Sequence, residues 1–127
     1  MAIDLNIALA NALLDRYDTE FPAGSLLQIR TGGQAGADNA AGGSLLAEIT
    51  SPATPWAAAS LGSKAKANTW SVAASGAGVA GHYRLLNAAD TRREEGAVGQ
   101  GAGDLSLNNT NIAIGQIVAM VSFTKSL

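Results

Sequence analysis

The first part of the chain repeats its apolar residues at the spacing of an α-helix. Between Asp4 and about Tyr17 the repeating residues are Leu5, Leu9 and Leu13, joined by Ile7 and Leu14. Side chains three or four residues apart lie on one side of a helix, so this spacing predicts an amphipathic helix with Asp4 as its N-cap. Pro22 and Gly24 in "EFPAG" then disfavour continuation. We expect residues 1–20 to form an N-terminal helix or arm.

After Pro22 the pattern changes to a period of two, which is typical of half-buried strands. In "SLLQIRT", Leu27 and Ile29 share one face and the polar side chains that alternate with them, Gln28 and Arg30, share the other. In "LLAEIT" one predicted face holds Leu45, Ala47 and Ile49, and the opposite face holds Leu46 and Glu48. Between these two predicted strands, the Gly- and Ala-rich residues 32–43 predict a long, flexible surface loop.

Three later segments, "KAKANTWSV", "GHYRLLN" and "IVAMVSFTK", also predict strands. In the first, one side is predicted to hold Lys64, Lys66, Asn68 and Trp70. In the last, one face is predicted to hold Ile117, Ala119, Val121 and Phe123, and the other Met120, Ser122 and Thr124. Strands separated by Gly-rich turns behind a single helix predict an all-β fold, a jelly-roll-like or β-sandwich single domain over residues 21–127.

The segment "SGAGVAGHYR" contains G-x-G-x-x-G at Gly76, Gly78 and Gly81, the spelling of a dinucleotide-binding loop. That loop needs a buried strand before it and a helix after it, because the pyrophosphate sits on the N-terminus of the helix. Here "HYRLLNAADT" alternates like a strand. We therefore interpret the glycines as a turn or bulge and expect no nucleotide cofactor.

The sequence also lacks the residues that other kinds of catalytic site need. The chain has no cysteine and one histidine, His82, so thiolate chemistry and His-rich metal sites are excluded. No G-x-S-x-G elbow surrounds any serine, and His82 is expected to be a surface histidine on a strand. We expect no catalytic residue, no cofactor and no metal, and hence a protein that is not an enzyme.

Charge and hydropathy narrow the class of partner. The formal net charge of −2 argues against nucleic acid as a partner, because phosphate binding needs clustered Lys and Arg. The N-terminal segment has no basic region and no stretch of about 20 apolar residues, so we expect neither a secretion signal nor a membrane partner. The expected site of synthesis is a cytoplasm.

The segment "DTRREEG" concentrates charge in a chain that is otherwise sparse in it. Glu94 and Glu95 cannot form a hydrolase pair, because adjacent strand residues point to opposite faces. The segment is interpreted as a solvated hairpin or strand, or alternatively as a contact patch in which Arg92 and Arg93 meet a partner. Trp56, which lies among prolines and alanines, is either a core anchor, the favoured alternative, or an exposed contact residue.

Several segments together resemble a family of small tailed-phage and prophage proteins. They are "LLQIRTG", "LLAEI", "PWAAASLGSKAKA", "AGHYRL", "EGAVG", "GDLSLNN" and "GQIVAMVSF", and they span nearly the whole chain. The resemblance implies a capsid cement or decoration protein with a jelly-roll-like fold that assembles as a homodimer outside an icosahedral head. The chain departs from the family pattern in having no cysteine in its first long loop.

The resemblance implies that the partner is the major capsid protein and that the protein lies on the capsid exterior of a virion assembled in a bacterial cytoplasm. Trp56, Arg92 and Arg93 are the expected partner contacts. A homodimer is also expected because strand edges need covering, through a strand edge or sheet face together with the N-terminal helix. The alternative function is a tail or fibre module that binds a receptor or another virion protein through its loops.

Overall fold

The computed structural model describes residues 4–101 and 103–126, so residues 1–3 of the predicted N-terminal segment lie outside it. The helices are α1 (Ile7–Asp15) and the single turn α2 (Tyr17–Glu20). The strands are β1 (Leu26–Thr31), β2 (Leu45–Thr50), β3 (Ser63–Ala65), β4 (Ser71–Ala73), β5 (Gly78–Leu86), β6 (Arg93–Gly99), β7 (Leu105–Leu107), β8 (Asn111–Ile112) and β9 (Ile117–Ser126). The prediction of an all-β single domain behind a short N-terminal helix is confirmed.

The nine strands form one curled mixed sheet, a half-barrel. The order along the sheet is β2-β1-β5-β6-β7-β9-β3; β4 also pairs with β9, and β8 with β5. The neighbours are antiparallel except for β6 and β7. The chain after β4 returns to β2, where the backbone N–H of Ser75 donates to the carbonyl oxygen of Leu46 at 2.9 Å. No helix in the described residues is long and apolar enough to cross a membrane.

All six aromatic side chains of the protein pack in one cluster inside the curl. Ring centroids lie 4.9 to 6.3 Å apart along the series Phe21, Tyr17, Trp56, Trp70, Phe123 and Tyr83. Trp56 is only 4% exposed, and its indole N–H donates to the carbonyl oxygen of Phe21 at 2.9 Å. The core alternative for Trp56 is therefore confirmed, and its ring is not available as the exposed partner contact.

Helix α1 is present as predicted, but most of its predicted apolar stripe lies on the solvent side. Asn6, not Asp4, is the N-cap, and its side chain accepts from the N–H of Leu9. The small Ala10 and the larger Leu14 are buried against the sheet, whereas Leu9 and Leu13 are about half exposed. The sequence pattern found a real stripe but could not tell which side of the helix packs on the body.

Two bulges change which residues face the core. The register between β1 and β2 shifts after Ile29, so that Leu46 has no direct partner and is buried beside Ala47, while Leu45 is exposed. A second shift occurs between β7 and β9, where Leu107 pairs with Met120. The predicted common face of β9 is therefore wrong: Val118, Met120 and Phe123 are buried, and Ile117 and Val121 are exposed. A bulge adds one residue to a strand and so reverses the alternation after it.

The segment "KAKANTWSV" is not one strand. Asn68 has a positive φ of 61°, and the chain divides into β3 and β4, which pair with opposite ends of β9.

The prediction that His82 lies at the surface is wrong. It lies on β5 as expected, but it is fully buried, with Nδ1 2.9 Å from the carbonyl oxygen of Gly32.

The glycine fingerprint serves close backbone packing, and the chain continues into strand β5 without a helix. A Cβ atom on Gly81 would lie 2.2 Å from the carbonyl oxygen of Gly32, and one on Gly76 would lie 2.5 Å from that of Leu45. These contacts involve backbone atoms, which cannot rotate away as a side chain can. The interpretation of the glycines as a turn or bulge is confirmed, because Gly76 lies in a bend and Gly81 is the extra residue where the register between β1 and β5 shifts.

We expect Gly81→Ala to lower the free energy of unfolding by about 1–3 kcal/mol, because overpacking against backbone forces the strands apart. Gly33→Ala is the matched control, since its Cβ atom would meet nothing within 4 Å, and its effect should stay within about 0.5 kcal/mol. Urea unfolding followed by circular dichroism measures both. Equal stability of the two variants would contradict the packing explanation.

Candidate interaction surfaces

The predicted contact residues Arg92 and Arg93 are held by acids of their own chain. The Nε atom of Arg92 lies 2.8 Å from Oε1 of Glu20, and that of Arg93 lies 2.7 Å from Oδ1 of Asp90. These hydrogen bonds lower the pKa of Glu20 and of Asp90. Both arginines lie at the surface, and neither is brought together with the buried Trp56.

Glu95 forms a buried ion pair that fixes the long loop, residues 32–43. Its Oε2 atom lies 2.9 Å from Nε of Arg84, and the two side chains are 2% and 5% exposed. Glu95 Oε1 accepts from the N–H of Gly36, while Arg84 Nη2 donates to the carbonyl oxygens of Gly36 and Asn39. The loop is therefore attached at two backbone positions. The prediction of a solvated hairpin or strand for "DTRREEG" is wrong at Glu95, because this carboxylate of β6 is buried as the counter-charge of Arg84 on β5.

Glu94 points to the other side of β6, as the strand alternation predicts. Its carboxylate accepts from the hydroxyls of Tyr17 and Tyr83 and pairs with the ammonium of Lys125. The Lys125 Nζ atom lies 3.5 Å from the ring centroid of Phe123. Burial lowers the pKa of Lys125 to about 8, against the opposing attraction of Glu94. Burial and the neighbouring Glu94 carboxylate raise the pKa of both tyrosines.

A cleft of about 490 Å³ opens over this cluster. Helix α1 forms one wall through Leu13 and Leu14, and the end of β9 forms another through Thr124 and Ser126. Sequence reasoning missed Lys125 and the two tyrosines as a cluster. The available signal was the alternation of "FTK", which places Phe123 and Lys125 on the same side of β9.

Two exposed apolar surfaces lie at different ends of β9. The first, called here the α1 surface, consists of Leu9 and Leu13, which lie one helical turn apart and are 48% and 49% exposed. The second, called here the β9 face, consists of Ile117, Ala119 and Val121 with Ser71 and Ala73 of β4 across from them. Clustered exposed apolar side chains of this kind are typical of interaction sites.

Helix α1 is rigidly attached beneath its exposed residues. The buried Lys64 of β3 donates to Oδ1 of Asp15 at 2.7 Å and lies 3.2 Å from Oδ1 of Asp18. Asn11 and Asp15 accept from the N–H groups of Gly62 and Ala59. The hydrogen bond from Lys64 lowers the pKa of Asp15. These contacts hold the helix to the loop before β3, so the α1 surface has a defined position.

The described residues bring no three His, Asp or Glu side chains together as metal ligands. Comparison of the chain with models of known protein families, with curated proteins and with solved structures finds no match. The function therefore has to be inferred from the two apolar surfaces and the clusters that position them.

We expect protein stability to rise from pH 8 to about pH 10 and to fall above it. Between the folded pKa of Lys125, about 8, and its ordinary value of 10.5, the unfolded state binds more protons, so stability increases with pH. Above the ordinary tyrosine pKa of 10.0 the unfolded state loses protons that Tyr17 and Tyr83 keep, so stability decreases.

Urea unfolding across this pH range measures the effect. The Lys125→Met variant should lose the rise between pH 8 and 10 but keep the fall above pH 10, because both tyrosines remain buried. Identical pH profiles for the variant and the wild type would contradict the assignment.

Proposed function

We propose that the chain is a structural, non-catalytic virion protein that binds the outside of a tailed-phage head and cements its major capsid subunits. Two independent points support the proposal: the resemblance in residue order along nearly the whole chain, and the α1 surface. The α1 surface carries it, because the helix docks through Ala10 and Leu14 and leaves the two large apolar side chains of Leu9 and Leu13 about half exposed, available to a partner. Burying one such leucine contributes about 1.5–3 kcal/mol.

The attachment of α1 makes this surface suitable for binding. Lys64, Asp15 and Asn11 hold the helix in place before any partner arrives. A preformed surface loses less conformational freedom on binding, so more of the contact free energy appears as affinity. In the proposed role, the protein prefers the assembled shell over free subunits and stabilises it by mass action, by about 2.7 kcal/mol per site at a hundred times the Kd.

The roles proposed for the individual contacts change accordingly. Trp56 supports the core beneath α2 and has no direct contact role. Arg92 and Arg93 are secondary contacts in this proposal, since any acid on the shell has to compete with Glu20 and Asp90 for their guanidinium groups. Surface ion pairs of this kind contribute little affinity compared with a buried apolar anchor.

The α1 surface gives the first test of the proposal. We expect Leu9→Gln/Leu13→Gln to keep the fold, because Gln and Leu have similar helix propensity, and to lose co-sedimentation with shells of the major capsid protein. Ile114→Gln is the control, because Ile114 is 72% exposed in the turn before β9, at the end of that strand opposite to its pairing with β3 near α1, and it should bind like the wild type. Undiminished binding by the double variant would remove the α1 surface from the proposal.

The particle gives the second test. We expect the protein to be present in a number comparable to that of the major capsid protein, and particles assembled without it to release DNA at a lower temperature than complete particles. Quantitative protein staining of purified particles and a dye-release melting curve measure the two quantities. A few copies per particle, with unchanged DNA retention, would instead favour a tail or fibre module.

A further inference from the structure

Three arginines line a second cleft, which lies beneath the long loop, residues 32–43. Arg30 of β1 pairs with His82 of β5, and Arg84 lies two residues further along β5, so both arginines belong to the same face of the sheet. Arg93 of β6 and the loop complete the lining of the cleft, whose volume is about 370 Å³. It shares no lining residue with the cleft beside α1.

Arg84 directs part of its guanidinium group into this second cleft. Its side chain is only 5% exposed, its Nε atom pairs with Glu95, and its Nη2 atom donates to two carbonyl oxygens of the loop. Its Nη1 amino group has no acceptor among the described residues. In this part of the chain only Nε2 of His82 is both fully buried and without a partner, so Nη1 of Arg84 reaches the open space of the cleft.

Arg30 brings a positive charge that no acid of the described residues neutralises through an ion pair. Its Nε atom donates to Oε1 of Gln28 and its Nη1 atom to the carbonyl oxygens of Gly42 and Gly43, all of which are neutral acceptors. Its Nη2 amino group has no acceptor in the described chain. The other two arginines of the cleft each pair with an acid. The cleft therefore combines one unbalanced cation with two unused guanidinium amino groups.

We propose that this cleft binds the carboxylate group of a small organic molecule, held by Nη1 of Arg84 and Nη2 of Arg30. Guanidinium N–H groups match the planar pair of oxygens in a carboxylate, and hydrogen bonds between two charged groups are the strong ones. The ion pair of Arg84 with Glu95 and its two bonds to the loop fix this guanidinium before a ligand arrives. A preorganised donor loses little conformational freedom on binding.

The rest of the lining limits what the ligand can be. Asp38 and Asp90 also line the cleft, and Glu95 lies behind Arg84, so the site is not strongly positive. A singly charged carboxylate fits it better than a doubly charged phosphate, which the acids would repel more strongly. The apolar part of the wall consists of Ala40, Ala41 and Leu86. Such a wall suits a ligand with a short hydrocarbon chain.

An NMR titration of the purified protein tests this site independently of the cement function. Hexanoate should shift the backbone amide resonances of Asn39, Ala40 and Ala41, which line the cleft. Hexylammonium, with the same carbon chain and the opposite charge, and inorganic phosphate should shift them much less at equal concentration. Equal shifts with hexylammonium, larger shifts with phosphate, or none with hexanoate at about 50 mM would overturn the proposal.

Variants of the charged lining residues assign the contact. Arg30→Met removes the unbalanced charge and should weaken hexanoate binding roughly tenfold or more. Lys66→Met is the matched control, because Lys66 also lacks an ion pair in the described chain but does not line the cleft, and it should bind like the wild type.

Asp38→Asn changes the affinity in the opposite direction. Asp38 is exposed, so this variant should keep the fold, and the loss of a negative charge from the lining should make hexanoate bind more tightly. This result decides the question even if circular dichroism shows that Arg30→Met does not fold. Unchanged affinity in a folded Arg30→Met, an equal loss in Lys66→Met, or weaker binding by Asp38→Asn would overturn the proposal.

Discussion

The rest of the structure depends on the packing of six aromatic rings around Trp56. This side chain comes from an irregular segment, but its ring lies 5.4 to 5.6 Å from the rings of Tyr17, Trp70 and Phe123. It thereby joins α2, the start of β4 and the last strand in one contact. In a chain whose other core residues are small or aliphatic, the aromatic rings supply the largest buried areas, and aromatic pairs add about 0.5–1.5 kcal/mol beyond burial.

Ion pairs at the edge of this core determine where helix α1 and the long loop lie. Lys64 positions α1, Arg84 and Glu95 position the long loop, and Lys125 and Glu94 close the sheet beside the two tyrosines. Burying a charge without a partner is costly, so each pair permits few alternative arrangements of the segments it joins. The buried ion pairs therefore attach helix α1 and the long loop to specific strands of the sheet.

Two apolar surfaces, the α1 surface and the β9 face, pack against no other part of the described chain. The α1 surface exists because a small residue, Ala10, and one leucine, Leu14, are enough to dock the helix, which leaves Leu9 and Leu13 outside. The β9 face exists because the bulge near Val121 moves Phe123 and Lys125 inward and leaves Ile117 and Val121 outward. In the proposed role the α1 surface meets the capsid.

The sequence by itself determined those features of the fold that depend on residues close together in the chain. The helix before Pro22, the inward Leu27 and Ile29 of β1, and the failure of the glycine fingerprint as a nucleotide loop all follow from residues near one another in the chain. Only the tertiary structure decided which side of α1 is buried, which residues of β2 and β9 change faces, and that His82 and Glu95 lie inside. The physical reason is that burial and bulges depend on the strand or helix that packs opposite. For Lys125 that neighbour is Glu94, a residue 31 positions away, and no local pattern encodes their meeting.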